Sequence, residues 1–371
     1  MAIAASSRCS TEEEAMSPLI KPFSAIGLAD RPLVGGKGAS LGALQAAGLP
    51  VPEGVVLTTE AFAAFCASLP PAHAPARLAA SLDPSELDRA RRIAEEVAAL
   101  FAAAPLPAAV DEALSFALSS LDPAGVGEPL AVRSSATSED GAATSFAGLQ
   151  ETELWVRGRE AVERAVRTAW ASLYSAQSML YRRHHRLEES DQSLAVVLQR
   201  MVAAEVAGVM FTVSPSTGDP SVVVIEACFG LGSALVGGEV TPDRFVVSKI
   251  TGEVISRQIS PKTHRHRPAA EGGVVLEAIP PPQCDQPTLD EARLGELLAL
   301  ARKIEALYGG PQDVEWAIGP TLGEGASRLY LLQSRPETVH TQRPRGEPLA
   351  RPQARPFDHV FAVLGRREGR A

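Results

Sequence analysis

QDVEWAI at Gln312–Ile318, followed after a glycine-containing loop by LYLLQSRPET at Leu329–Thr338, reads as two neighbouring strands with unlike faces. In a strand, residues two apart point to the same side. Over Asp313–Ile318, Asp313 and Glu315 therefore share one face, while Val314, Trp316 and Ile318 share the other and suit a core. Over Leu329–Ser334 and the residue beyond it, Gln333 and Arg335 share a face. If the two strands pair, two carboxylates, an amide and a guanidinium converge on one patch. That set suits a metal-bound polyphosphate, because Mg²⁺ takes hard oxygen donors and Arg presents a planar fork to phosphate. The same set also describes an exposed salt-bridge cluster on a hairpin, which is ordinary surface chemistry.

The rest of the chain alternates groups of strands with long helices. Gly35-Gly36-Lys37-Gly38 reads as a turn, Ala39–Ala47 as a helix and Gly48 as its C-cap. Val51–Thr58 is strand-like. A helix is expected from Ser85, with Leu87, Ala90, Ala94, Val97 and Phe101 on one face and Ser85/Asp88 as a capping box. A second helix covers Val110–Leu121. Leu130–Val132 and Leu154–Val156 are short strands, Glu160–Leu187 one long helix, and Leu194–Leu198, Gly208–Thr212 and Val222–Ile225 further strands. Phe245–Ser248 and Glu253–Gln258 form a hairpin around Thr251-Gly252. Thr288–Leu307 is a helix with Thr288/Glu291 as its capping box. This mixture predicts an α+β or α/β architecture in more than one subdomain.

Composition narrows the function classes. The 371 residues exceed the size at which single cores stop growing, about 250–300 residues. The formal net charge is −9 and nothing points to a nucleic-acid surface, which needs clustered Lys and Arg, though local clusters can still bind phosphates. Cys9, Cys66, Cys228 and Cys284 are widely spaced and make no Cys-x-x-Cys pair, which fits a reducing compartment. Met1–Met16 is polar and lacks the basic start and apolar stretch of a signal peptide. No apolar run approaches the roughly 18 residues of a membrane span. The expectation is a cytoplasmic protein with no membrane and no nucleic-acid partner.

Further polar residues stand where chemistry is possible. Lys37 lies between glycines at a helix start, where backbone amides can hold an anion; a plain helix-entry turn explains it equally. The segment is not a Walker A loop, since Gly38 stands where Ser or Thr is needed. Arg133 ends an apolar strand and precedes Ser134, Ser135, Thr137 and Ser138, with Gly141 and Gly148 beyond; such a loop can close over phosphates or simply be flexible. Gln199-Arg200-Met201-Val202 ends a buried strand and can offer its backbone to an adenine edge, with Met201 on the ring or in the core. Glu226 either faces a nucleotide or is a strand-end carboxylate. The seven histidines show no metal spacing.

These pieces occur in an order that resembles the N-terminal ATP-binding domain shared by phosphoenolpyruvate synthase, pyruvate phosphate dikinase and rifampin phosphotransferase. The segments that carry the resemblance are LVGGKGASLGALQAAGLPVPEGVVLT, LAVRSSATSEDGAATSFAGLQET, VVLQRMVAAEVAGVMFTVSP, EACFGLGSALVGGEVTPDRFVV, QDVEWAI and LYLLQSRPET, spanning residues 33 to 338. The resemblance implies an ATP-grasp-type fold and a site for ATP and Mg²⁺. It places Lys37, Arg133 and Arg335 on the phosphates and makes Ser138–Gly148, with Gly141 and Thr144, a loop over them. It makes Gln199–Val202 the adenine hinge, brings Glu205 near the ribose, and gives Mg²⁺ to Glu315 and Gln333 with Asp313 assisting.

The resemblance also implies a reaction. In the family, ATP gives its β-phosphoryl group to a histidine on a swivelling domain, leaving AMP, and the histidine passes the group to an acceptor. No Thr-Ser-His-type motif stands near the end of this chain, so a separate protein with the histidine and acceptor parts is the expected partner. A non-catalytic ATP-responsive binding module and a fragment of a longer pyruvate- or antibiotic-phosphorylating dikinase are the competing readings. The expected organisation is a leader at 1–18, N-terminal subdomains with the phosphate loop at 19–190, a C-terminal subdomain with the hinge and metal site at 191–337, and a Pro- and Arg-rich tail at 338–371.

Overall fold

Leu194–Arg200 is buried along both faces, because it is the middle strand of a sheet covered on each side. Its side chains alternate between two cores: Leu194, Val196 and Leu198 enter one, Ala195 and Val197 the other. In the computed structural model, which describes residues 17–71, 74–137, 140–141, 144–145, 151–320, 327–338 and 340, that strand is β7. It follows β1 (Ile20–Pro22), β2 (Gly54–Leu57), β3 (Leu130–Ala136), β4 (Asp140–Gly141), β5 (Thr144–Ser145) and β6 (Thr152–Val156). The first sheet has the order β1-β2-β7-β3-β6 and is antiparallel throughout. β4 and β5 pair as a separate short hairpin.

Helices cover this sheet on both faces. α1 (Arg31–Ala46) lies with the smaller core. α2 (Thr59–Ser68), α3 (Pro75–Ala80), α4 (Leu87–Ala103), α5 (Ala108–Leu121), α6 (Arg159–Ser172) and α7 (Ala176–His184) contribute to the larger one. Phe65 stacks on Trp170 at 4.9 Å and meets Phe101 edge-on at 5.0 Å. Each such fully buried ring contributes about 1.5–3 kcal/mol through its removal from water.

The second sheet carries the strand pair with unlike faces. β8 (Val206–Phe211), β9 (Val222–Phe229), β10 (Asp243–Ser248), β11 (Val254–Gln258), β14 (Gln312–Gly319) and β15 (Arg328–Pro336) stand in the order β11-β10-β9-β8-β14-β15, all antiparallel. Between them come α8 (Ser233–Val236), the hairpin of β12 (His264–Pro268) and β13 (Val274–Ala278), and α9 (Glu291–Tyr308). One face packs Met210, Ile225, Phe245, Val314 and Trp316 against Leu294, Leu297, Leu298, Ala301 and Ile304 of α9. These positions are even-spaced on the strands and three to four apart on the helix, as burial of one face requires. The opposite face is left for polar work.

The architecture is α+β. Asp313–Ile318 and Leu329–Ser334 pair as expected, each slightly longer. Three local expectations fail. The helix over Glu160–Leu187 is two, broken at Leu173–Ser175, because Tyr174 turns into the core and the Ser175 hydroxyl accepts from the Ser178 amide to start a new helix. The cap of α9 is Asp290, not Thr288; Thr288 instead gives its amide and hydroxyl to buried Asp243. The Ser85 hydroxyl bonds Asp83, so no capping box forms at α4, and Leu87 is exposed. The strand beginning at Leu194 belongs to the first sheet, and β8, the next strand after it, belongs to the second.

Contact within the chain groups Met1–Glu337 as one unit and Thr338–Ala371 as another. The leader at 1–18 and the tail at 338–371 fall almost wholly outside the described residues. Among the described residues no single helix is long and apolar enough to cross a membrane. The bent pair α4 and α5, at 76°, would pass on length and composition, but their apolar faces are spent on the first core.

Candidate functional site

Arg133 reaches from the first sheet to the second. It stands on β3 opposite Val197 and Thr152, and is 7% exposed. Nη1 donates to the Leu332 carbonyl at 2.7 Å. Nη2 donates to Gln333 Oε1 at 2.6 Å and to Glu315 Oε2 at 2.9 Å. Its Nε is buried without a partner. A guanidinium never gives up its charge, so the desolvation cost must be met by acceptors at fixed places. The strand pairing supplies them: Glu315 lies opposite Gln333, and both face away from the core under α9.

The register extends that polar row. Glu315 stands opposite Val209, Val209 opposite Glu226, and Glu226 opposite Arg244. One step along, Asp313 stands opposite Arg335, with Arg335 Nε 3.4 Å from Asp313 Oδ2. Burial pushes the Asp313 carboxyl above its usual range; Arg335 opposes that shift and Glu337 adds to it. Asp313 Oδ1 is buried without a hydrogen bond, an acceptor left unspent.

Lys37 is placed by a clamp between α1 and β3. Gly35 breaks the helix at φ +71°, and a side chain there would put its Cβ 2.1 Å from the Ser135 carbonyl oxygen. Ser135 Oγ donates to the Val34 carbonyl at 2.8 Å and accepts from the Gly38 amide at 3.1 Å. Ser40 Oγ donates to the Ser334 carbonyl at 2.7 Å, tying the same helix to β15. Lys37, 6% exposed, therefore sits on a short helical segment held both to the strand of Arg133 and to the strand of Gln333. The serines after Arg133 were expected in a phosphate loop. Ser134 and Ser135 are instead buried in β3, which runs on to Ala136, and Ser135 serves this clamp. Gly141 and Thr144 lie in the β4–β5 hairpin; Ser138 and Gly148 lie outside the described residues.

A cleft of about 230 Å³ opens beside Arg133 and Glu315. Arg200, Thr152, Gln199 and Ser233 also line it, and the rest of its walls are largely apolar, with Ala131, Met201, Val202 and Leu231. Met201 also packs with Ala131, Trp155 and Leu231, which gives it a core role at the edge of the cleft. The amides of Arg200, Met201 and Ala203 donate to the carbonyls of Glu53, Pro129 and Pro320. That fixes the turn at the end of β7 but spends the Met201 amide. Gln199 lines the cleft too, and its Nε2 donates to the Pro52 carbonyl at 3.2 Å. The cleft also requires Gly208, where a Cβ would come 2.0 Å from the Glu226 carbonyl and 2.6 Å from the Trp316 ring.

Two residues stand apart. Glu205 is exposed, accepts from Ser327 Oγ at 2.9 Å, and lines a neighbouring cavity of about 410 Å³ with Arg265 and Arg267. Glu226 is half-buried, with Oε1 4.0 Å from Arg244 Nε. Sequence reasoning missed the Leu332 carbonyl, Thr152, Ser233 and the Gly208 approach. All four lie inside segments that carry the family resemblance, and a glycine inside an apolar strand was a further local signal at Gly208. Among the described residues no three His, Cys, Asp or Glu side chains gather as a metal site.

Residues 31–354 match the family model described as pyruvate phosphate dikinase, AMP/ATP-binding domain. The chain is 40% identical over 345 residues to a phosphoenolpyruvate synthase of Aeropyrum pernix, covering 84% of this chain and 41% of that protein. It is 39% identical over 309 residues to the prodigiosin synthesizing transferase PigC of Serratia marcescens, covering 83% and 32%. It is 37% identical over 321 residues to a rifampicin phosphotransferase of a Streptomyces species, covering 86% and 36%. The chain thus spans about a third to two-fifths of the length of these relatives. By the extent of the family match, this α+β chain of ATP-grasp type belongs to the pyruvate phosphate dikinase AMP/ATP-binding domain family.

Proposed function

We propose that the chain binds Mg-ATP in the cleft beside Arg133 and donates the β-phosphoryl group to a histidine on a separate protein, leaving AMP. The observation that carries this reading is the junction of Arg133 with Glu315 and Gln333, which sets a fixed cation beside hard oxygen donors at the edge of a mainly apolar cleft. Phosphoryl transfer needs positioning and charge neutralisation more than covalent chemistry from the protein. Arg133, Lys37 and Arg335 would hold the phosphate oxygens. The apolar wall at Met201 and Leu231 would take the base.

The donor set fits Mg²⁺. Glu315 and Gln333 both present oxygens to the cleft side of the sheet, and Asp313 keeps an unsatisfied buried oxygen one register step away. Carboxylate, amide and phosphate oxygens are the ligands this ion prefers. When bound, Mg²⁺ would neutralise phosphate charge. Arg133 would then exchange part of its present bonding to Glu315 and Gln333 for phosphate oxygens. The N–P bond forms as the bond between the β-phosphorus and the α,β-bridging oxygen breaks; that oxygen leaves with AMP, and the histidine gives up its proton and first carries the β- and γ-phosphates together. Water then cleaves the β,γ bond, the γ-phosphate leaves as inorganic phosphate, and the β-phosphoryl group stays on the histidine. Glu205 near the ribose, Glu226 near the nucleotide and the 138–148 loop over the phosphates remain parts of this proposal. So do the subdomain boundary and a cytoplasmic setting, which the unpaired thiols of Cys66, Cys228 and Cys284 suit.

The test is to mix the full chain with Mg-ATP and a protein carrying a phosphoacceptor histidine domain. AMP and an acid-labile phosphohistidine are expected. Tight ATP binding without AMP would favour an ATP-responsive binding module instead.

A further inference from the structure

One wall of the nucleotide cleft is held by a chain of polar groups that the phosphate chemistry does not use. Gly230, at φ +78°, lets the FGLGS segment approach β12 so closely that a Cβ would meet the His266 carbonyl at 2.3 Å. The Leu231 amide donates to that carbonyl at 3.0 Å. This brings the His266 ring under α8. His266 Nδ1 lies 2.8 Å from Ser233 Oγ, and His266 Nε2 lies 3.2 Å from Glu239 Oε2. Ser233 itself lines the cleft, next to Leu231.

With a neutral imidazole, the order of these partners sets the direction of both hydrogen bonds. An ionised carboxylate only accepts, so the nitrogen facing Glu239 must carry the proton. A neutral imidazole with Nε2–H leaves Nδ1 as a bare acceptor. The Ser233 hydroxyl must then donate to Nδ1. Its one proton is spent on the histidine, and what Ser233 keeps for the cleft is lone pairs.

Resting on the reading of the cleft as a nucleotide site, we propose that Ser233 is a nucleobase-selecting residue, set by His266 and Glu239 to accept a hydrogen bond. It favours a purine with an exocyclic amino group at position 6 over one with a carbonyl there. A 6-amino group donates to such an oxygen; a 6-oxo group places lone pair against lone pair. Discrimination by a committed polar group works because the wrong partner leaves that group unpaired. His266 and Glu239 are positioning residues: they act on the base through Ser233.

The experiment is a calorimetric titration of the full chain with Mg-ATP and with Mg-ITP, which differ at position 6. The native chain is expected to bind ATP about tenfold more tightly, and Ser233→Ala to narrow that ratio to about twofold, mainly by weakening ATP. His266→Leu narrows it likewise. His266→Asn, whose Oδ1 can accept the Ser233 proton in place of Nδ1, keeps it. A merely structural role for His266 would lower both affinities together and leave the ratio alone. The proposal is overturned if the native chain binds both nucleotides equally, or if Ser233→Ala leaves the ratio intact. Should Ser233→Ala fail to fold, the Leu and Asn variants of His266 supply the same contrast, and equal ratios in those two overturn it. Absence of binding by either nucleotide removes the underlying site reading, whereas ATP binding with a ratio indifferent to Ser233 removes this inference alone.

Discussion

Arg133 and Gln333, 200 residues apart in the chain, are joined by a hydrogen bond of 2.6 Å from Nη2 to Oε1. The bond joins the two sheets and aligns a fixed cation with the polar face of β14 and β15. Arg133→Ala would leave Gln333 Oε1 and the Leu332 carbonyl without their donor. An expected loss of about 2 kcal/mol follows from stranding these groups. Urea denaturation of the variant, without nucleotide, checks it; an unchanged midpoint would show the bridge to be dispensable for the fold.

Glu315→Gln keeps the shape of the side chain and removes its charge. Loss of the ionic partner of Arg133 and of a carboxylate donor for Mg²⁺ should weaken Mg-ATP binding about tenfold while changing free ATP far less. Parallel titrations with and without Mg²⁺ measure this. Equal losses in both would assign Glu315 to packing and not to the metal.

Gly35→Ala tests the clamp that places Lys37. Its Cβ would enter the Ser135 carbonyl and strain a left-handed φ. The expected cost is about 3 kcal/mol, a fall of about 5 °C in Tm, with Lys37 displaced. A scanning calorimetry trace that overlays the native one would contradict the clamp.

The buried thiols give a pH-dependent readout. Burial pushes Cys66 and Cys228 up to about 12. At pH 8 their reactive thiolate fraction is then about one part in ten thousand, and it rises about tenfold with each further pH unit. Brief treatment of the native chain with iodoacetamide at pH 8, followed by peptide mass spectrometry, should leave both unmodified. Rapid alkylation of either would mean that its surroundings open readily.

Much of this was legible because one strand pair wears its two faces openly. Alternation of Asp313 and Glu315 with Val314 and Trp316 gave both the core face and the polar face, and the polar residues of β15 followed. What stayed hidden depends on contacts across long stretches of chain. Ser135 looks like a loop serine until it is seen holding Val34 and Gly38, about a hundred residues earlier. The break between α6 and α7 lies inside an unbroken helical pattern, so only the burial of Tyr174 and the cap at Ser175 expose it. Ser233 and Glu239 lie in one quoted segment, but His266 lies outside it, and only the β12–β13 hairpin brings its ring to them.

The most direct measurement is titration of the full chain with ATP in Mg²⁺ and again in EDTA, for the native chain and for Arg133→Lys. A lysine keeps the charge but cannot span the Leu332 carbonyl, Gln333 and Glu315 with a planar fork. The prediction is saturable one-site binding in Mg²⁺, weakened about tenfold or more both by EDTA and by the substitution. Binding indifferent to Mg²⁺ and to Arg133, or no binding at all, would contradict a Mg-ATP site in this cleft.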